Sequence, residues 1–144
     1  RLEEQGTSLA PLLHLLDGWE VMLDDFPWDD RQFDAYASAR GHGLFASGLA
    51  VGRSLDESQA EQGRAWALWD FARHCSDAGM RQAAFERCTE IANSGYPPTF
   101  DRSGRPLSIL CKLMERDVRK GQLTADLYRP ASAARIIWHG ITGR

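Results

Sequence analysis

The sequence predicts an all-α domain, a bundle of about six helices. Apolar residues recur at three-to-four spacing along most of the chain, whereas the alternation of apolar and polar residues typical of strands is nearly absent. Helix start and stop signals divide this pattern into segments. The 144 residues, of which 43% are hydrophobic, are enough for one core that buries roughly 68–70% of the unfolded surface. We therefore expect one domain spanning residues 1–144.

The first predicted helix begins near Ser8 and ends at Phe26 and Pro27. Its apolar residues form one stripe at three-to-four spacing: Leu12, Leu15, Leu16, Trp19, Met22 and Leu23. The second helix starts at Asp29 or Asp30 and runs to residue 49. It contains the glycines Gly41, Gly43 and Gly48, each of which costs up to about 1 kcal/mol relative to Ala. We expect the close approach of another helix or of a ligand to offset this cost in helix stability.

The remaining helices are predicted over residues 54–76, 78–93, 106–121 and from 132 onward. Ser54 and Glu57 have the spacing of a capping box, in which hydroxyl and carboxylate each accept an orphan backbone donor. Pro106 lies where a first helical turn tolerates proline, and Gly121 is a stop signal.

Composition excludes several classes of partner. The formal charge of −3 has the wrong sign for a general phosphate-backbone binder, so we expect no nucleic-acid partner. The longest apolar runs fall far short of the roughly 20 residues that span a bilayer. Three cysteines, Cys75, Cys88 and Cys111, form neither a metal knuckle nor an even disulfide set, which favours a reducing compartment and buried thiols. Because the chain begins at Arg1 without a leader pattern, we expect a fragment.

An acidic cluster, Asp24, Asp25, Asp29 and Asp30, has the residue type that Mg²⁺ prefers. Pro27 separates the two pairs, so they do not share a helical face. We therefore interpret Asp29 or Asp30 as a helix cap and the others as solvated. The histidines have no zinc spacing, and the absence of a G-x-S-x-G motif excludes a serine hydrolase of the nucleophile-elbow type.

A second polar group is more informative because Asp70, Arg73, His74 and Asp77 recur at helical spacing. Such a face could hold a metal-bound diphosphate, with Arg73 on phosphate oxygens and carboxylates on Mg²⁺. A solvated helix end with internal ion pairs explains the same residues. Both interpretations stay open on spacing alone.

Several segments in order resemble the squalene and phytoene synthases, all-α enzymes that join two prenyl diphosphates head to head. Residues 15–20, Leu-Leu-Asp-Gly-Trp-Glu, resemble the family's hydrophobic-Asp-Gly-x-Glu helix end, and residues 36–43 resemble its Tyr-containing helix of small residues. Residues 63–74 resemble its Gly-x-Ala-x-x-x-x-Asn-x-x-Arg-Asp helix, while residues 105–107 and 138–144 are similar to its last helices. The resemblance implies an isoprenoid-synthase fold that lacks its N-terminal helices.

The same resemblance implies a weakened metal site. In the family, two aspartate-rich motifs hold Mg²⁺, which neutralises the substrate diphosphate. The first motif lies upstream of this region. In the second, Asp70 replaces Asn, Arg73 is kept, His74 replaces Asp, and the later acidic pair is reduced to Asp77. Imidazole is a poor ligand for Mg²⁺, so we expect no turnover of prenyl diphosphates by this chain alone.

If a prenyl diphosphate binds, the resemblance implies Tyr36, Arg40, Asp70 and Arg73 as substrate-binding residues. Asp70 and Asp77 would then bind Mg²⁺, the expected cofactor of an active protein. Phe45, Trp66 and Trp69 could line an apolar tunnel for the prenyl chain, but core packing is the preferred interpretation of each.

Two functions follow from the resemblance. The first is isoprenoid biosynthesis, by a cytoplasmic protein able to associate peripherally with the inner membrane. The alternative is a non-catalytic interaction or assembly factor, because a second branch of the family keeps the fold without the aspartates. That branch includes a mitochondrial factor that assists assembly of respiratory complex I, and residues 36–40, Tyr-Ala-Ser-Ala-Arg, are similar to it. Self-association could also cover an apolar face left by the absent helices.

Overall fold

A computed structural model describes residues 9–49, 53–94, 98–101 and 104–123 of the chain. These ranges contain five α-helices and no strand: α1 (Ala10–Val21), α2 (Asp30–Ser47), α3 (Glu57–His74), α4 (Ala78–Ser94) and α5 (Arg105–Lys120). The all-α prediction is therefore confirmed for this part of the chain. The helix predicted from Ser132, and the predicted start near Ser8, lie outside the described residues.

Helix α3 is the centre of the fold. It packs against α2 on one side and α4 on the other, while α5 lies against α3 and α4. More than half of its residues are buried, including Leu68 and Trp69. Trp69 is fully buried, and its indole Nε1 donates a hydrogen bond to Asp117 Oδ2 of α5 at 3.0 Å. A buried tryptophan thus joins the central helix to the last one described.

The helix boundaries match the sequence signals except at α3. Asp29 caps α2 in a capping box with Gln32, as the sequence predicted for this residue or its neighbour. The predicted capping box of Ser54 is wrong, because the helix begins two residues after Leu55. Asp56 is the N-cap: its carboxylate accepts the Gln59 backbone N–H at 2.8 Å, and the Gln59 side chain accepts the Asp56 N–H at 3.1 Å.

Glycines allow the helices to approach closely. A Cβ on Gly41 would lie 2.4 Å from the carbonyl carbon and oxygen of Gly63, so α2 and α3 touch backbone to backbone. A Cβ on Gly43 would lie 2.7 Å from the Pro11 carbonyl oxygen of α1, and one on Gly48 would lie 3.0 Å from Leu107 of α5. The helix-packing alternative for these glycines is therefore the one that the structure supports.

Helix α1 packs against α2 through Gly18, Pro11 and Leu15, so only one side of its apolar stripe faces α2. Gly18 is its one buried residue, and a Cβ there would lie 3.2 Å from the Arg40 backbone nitrogen. Most of the predicted stripe is exposed: Leu12 (47%), Leu16 (55%), Trp19 (58%), Met22 (48%) and Leu23 (84%). Within the described structure, most of this stripe therefore lies outside the core.

Candidate functional site

A pocket of about 670 Å³ lies between the end of α1, the connection to α2, and the facing sides of α2 and α3. Its lining residues are Trp19, Met22, Leu23, Phe26, Tyr36, Arg40, Asp70, Phe71, His74, Cys75 and Ser76. The lining is mostly apolar, with a few polar groups contributed by α2 and the end of α3. This composition is typical of a small-molecule site, in which apolar walls supply affinity and a few polar groups set orientation.

An ion pair between α2 and α3 forms the polar part of the pocket. Arg40 Nη2 lies 3.3 Å from Asp70 Oδ2, and the two side chains are only 26% and 14% exposed. Arg40 Nε is buried and has no hydrogen-bond partner among the described residues. The guanidinium therefore has donor capacity beyond its contact with Asp70, since it carries five N–H groups.

His74 extends this polar group at the end of α3. Its Nδ1 lies 2.7 Å from the Asp70 carbonyl oxygen and 3.5 Å from Asp70 Oδ1. Because a carbonyl oxygen can only accept, Nδ1 is the donor in the shorter of these two contacts. Asp70 thus contacts both Arg40 across the helix interface and His74 one turn later on the same helix.

Tyr36 adds a phenol to the polar groups of the pocket, and its side chain is nearly fully buried. Burial is the main reason that the pKa of its phenol is raised from 10.0 to about 12, while the charge of Arg40 lowers the pKa and that of Asp70 raises it. Its ring lies 5.4 Å from the rings of Trp28 and Phe71, measured between centroids. The phenol is therefore protonated at neutral pH and held in place by aromatic packing.

The apolar wall has a buried side and an exposed side. Phe71 is buried and stacks on Trp28 with ring centroids 4.8 Å apart. Phe26 meets the edge of Phe71 at 6.2 Å and is about half exposed. Trp19 and Leu23, which also line the pocket, are exposed as well, so part of its apolar lining faces solvent.

The structure brings together three of the five residues that the sequence assigned to a site. Tyr36, Arg40 and Asp70 line the pocket, whereas Arg73 and Asp77 do not. Arg73 stacks over the ring of Trp69, 4.6 Å from its centroid. Helix α3 ends at His74, so Asp77 does not continue its face. The Asp77 carboxylate instead accepts the Met80 backbone N–H at 2.8 Å, at the start of α4.

These placements do not fit a Mg²⁺ ion. Asp70 is engaged by Arg40, Asp77 caps another helix, and His74 offers nitrogen where Mg²⁺ prefers oxygen. Within the described ranges, no three His, Cys, Asp or Glu side chains are grouped to hold a metal ion. A Mg²⁺ site on Asp70 and Asp77 stays a prediction from the resemblance.

The other candidates have structural roles. Phe45, Trp66 and Trp69 are buried in the core and do not line the pocket, which favours core packing over a tunnel. In the acidic cluster, Asp24 accepts a hydrogen bond from Gln32 Nε2 at 2.8 Å, and Asp30 pairs with Arg87.

The apolar wall of the pocket could not be predicted from the sequence. Trp19, Met22 and Leu23 belong to one apolar stripe in the sequence pattern, and Phe26 only marks a helix end. The unusual density of large apolar residues just before Pro27 was the available signal. It could not be interpreted further, because a helical stripe facing a core and one facing a pocket have the same spacing.

No helix in the described part of the chain combines the length and the apolar character needed to cross a bilayer. Comparisons with protein-family models, with curated proteins and with solved structures gave no match.

Proposed function

We propose that this chain is a squalene/phytoene synthase-like domain of isoprenoid biosynthesis that binds a prenyl diphosphate without converting it on its own. The observation that carries the proposal is the pocket that joins an apolar wall to the Arg40–Asp70 pair. The order of motifs in residues 15–74 supports the choice of ligand, since it resembles the part of the family that holds the substrate.

The diphosphate would bind at Arg40. A guanidinium matches the geometry of phosphate oxygens and can donate two parallel hydrogen bonds to them. The Arg40 side chain is 26% exposed and lines the pocket, so a phosphate oxygen could accept from its guanidinium there. Asp70 would compete with the ligand for Arg40, which makes the carboxylate a negative determinant of affinity. The protonated phenol of Tyr36 lines the same pocket as a further donor.

The prenyl chain would bind along the apolar wall of the pocket, which is formed by Trp19, Met22, Leu23, Phe26 and Phe71. Burial of each CH₂ contributes about 0.8 kcal/mol, so the chain supplies more affinity than the single cation. Turnover requires more than binding. Ionisation of the diphosphate in this family depends on Mg²⁺, and the described residues do not fit that ion. Binding without catalysis is the consistent outcome.

Titration calorimetry with a non-hydrolysable farnesyl diphosphate analogue tests the proposal. We expect binding that Arg40→Ala weakens by about 10- to 100-fold, because a hydrogen-bonded charge contributes roughly 1.5–3 kcal/mol. Replacing Mg²⁺ with EDTA should leave the affinity unchanged. Arg64→Ala is a matched control, since Arg64 is also an ion-paired arginine between α2 and α3, 28% exposed, and does not line the pocket.

Two results would count against the proposal. The unaltered protein could fail to bind the analogue in either buffer, or Arg40→Ala could bind as tightly as the Arg64→Ala control. Either result would favour the second candidate function, a non-catalytic interaction or assembly factor of the kind that the family's other branch contains. The exposed apolar side of α1 is the observation that favours this second candidate.

A further inference from the structure

Helix α1 presents an apolar surface that none of the other described helices covers. Leu12, Leu16, Trp19 and Leu23 recur at four-, three- and four-residue spacing and lie on the side away from Gly18, which contacts α2. The helical path continues past Val21, because the N–H groups of residues 22–24 donate to the carbonyls of residues 19–21. We call these four residues the α1 apolar face. They are between 47% and 84% exposed.

An acidic edge runs beside the α1 apolar face. Asp17, Glu20 and Asp24 recur at three- and four-residue spacing and are all exposed. Residues 10–30 contain six Asp or Glu and no Lys or Arg. His14 Nδ1 lies 3.4 Å from Asp17 Oδ2, and Asp24 accepts from the neutral Gln32 side chain. None of these contacts brings a permanent positive charge to the edge.

We infer that the α1 apolar face and its acidic edge bind a cationic amphipathic helix of a partner protein. Such a helix would insert apolar anchors against Leu16 and Trp19 and place Lys or Arg beside Asp17 and Glu20. The surface is continuous with the pocket, because Trp19 and Leu23 line both. A large anchor side chain could therefore enter the pocket rim, as in interfaces whose affinity is concentrated in a few buried side chains.

Charge decides between this occupant and others. An anionic bilayer attracts basic surfaces and would be repelled by the acidic edge. Two copies of this chain meeting symmetrically through the same face would bring like charges together. A zwitterionic bilayer would contact the α1 apolar face, but it has no net positive charge to attract the acidic edge. The inference goes beyond prenyl diphosphate binding and does not depend on it.

The test uses the full chain and a fluorescent synthetic helix of Leu and Lys, about 18 residues long and thus about five turns. A Leu and Glu helix of the same pattern is the comparison peptide. Fluorescence anisotropy measures the affinity of the chain for each peptide. In about 50 mM NaCl we expect the Leu and Lys helix to bind about tenfold more tightly than the Leu and Glu helix. The difference should shrink in about 500 mM NaCl, because salt screens exposed charges.

Two variants separate the apolar and charged contributions. Leu16→Ser should weaken binding of the cationic helix by about tenfold. The pair Asp17→Lys and Glu20→Lys should remove the preference for the cationic helix. The pair Glu86→Lys and Glu90→Lys makes the same charge change on exposed positions of α4 and should keep the preference. Thermal unfolding of each variant checks the fold, which exposed substitutions should leave intact.

Several outcomes would overturn the inference. Equal binding of the two peptides, or a preference that survives charge reversal on α1, would exclude recognition through the acidic edge. A concentration-dependent dimer in light scattering that Leu16→Ser abolishes would identify a second copy as the occupant. Co-sedimentation with zwitterionic vesicles that outcompetes the cationic helix would identify a lipid surface.

Discussion

Burial raises the pKa values of three ionisable side chains in this fold. Tyr36 is almost fully buried at the pocket, and Cys88 and Cys111 are buried between α3, α4 and α5. Burial is the main cause that raises the pKa of each, to about 12 in all three. Nearby carboxylates act in the same direction, Asp70 on Tyr36, Asp117 on Cys88 and Glu115 on Cys111. All three groups are neutral in the folded protein at physiological pH.

These raised pKa values predict a loss of stability at alkaline pH. The pKa of Tyr36 is raised from 10.0 to about 12 on folding, so the unfolded chain releases its proton first and the free energy of unfolding falls between these values. For each tenfold difference between the acid dissociation constants of the folded and unfolded states, the free energy of unfolding falls by roughly 1.4 kcal/mol. The cysteines, raised from 9.0 to about 12, extend the loss to lower pH. Below about pH 9 these groups contribute no pH dependence.

Urea unfolding at a series of pH values measures this effect. We expect Tyr36→Phe to remove part of the decline above about pH 10 while leaving the decline caused by the cysteines. If Tyr36→Phe and the unaltered protein lose stability in parallel up to about pH 12, the burial argument for Tyr36 is contradicted.

At the scale of the helices, glycine contacts determine how α1, α2 and α3 pack. Gly41 allows α2 to touch the backbone of α3 at Gly63, and Gly18 and Gly43 bring α1 against α2. Because α1 meets α2 at Gly18 and Leu15, the rest of its apolar stripe is exposed. The same contacts thus create both the pocket rim and the α1 apolar face.

Gly41→Ala should destabilise the protein by roughly 1–3 kcal/mol. Its Cβ would lie 2.4 Å from backbone atoms of Gly63, which cannot rotate away as a side chain could. This overpacking outweighs the gain in helix propensity, at most about 1 kcal/mol. Urea unfolding measures the change.

Gly79→Ala is the matched control because a Cβ there would meet Asp77 Oδ1 at 3.4 Å, an ordinary contact. Alanine at position 79 of α4 should therefore be neutral or stabilise by roughly 0.5–1 kcal/mol. Equal destabilisation by the two substitutions would show that α2 and α3 do not touch at Gly41.

The positions of the helices could be predicted from the sequence because their signals are local. The period of apolar residues, the acidic N-cap at Asp29 and the stop at Gly121 all act within a few residues. The α3 cap was predicted two residues early because Ser54 and Asp56 both precede a suitable partner, Glu57 and Gln59 respectively. Which one caps depends on where the chain enters the helix, and the sequence pattern does not contain that information.

At the scale of the whole molecule, the candidate site combines residues that are far apart in the chain. Arg40 and Asp70 are 30 residues apart and meet because α2 and α3 pack together. The sequence predicted these two residues and Tyr36 through the resemblance, whereas the apolar wall depends on how α1 is rotated on α2. Asp77 has helical spacing from Asp70 and His74, so the sequence pattern places it on the α3 face. The sequence predicts the end of α3 at residue 76, whereas the helix ends at His74, and Asp77 therefore lies beyond it.

The central claim is that the pocket between α1, α2 and α3 binds a prenyl diphosphate. A titration of the isotope-labelled chain with the non-hydrolysable farnesyl diphosphate analogue, followed by backbone and side-chain NMR, tests it most directly. We predict saturable shift changes at Tyr36, Arg40 and Phe71, with contacts from the prenyl methyl groups to the Trp19 and Phe26 rings. Changes confined to α4 and α5, or no change at saturating ligand, would contradict the claim.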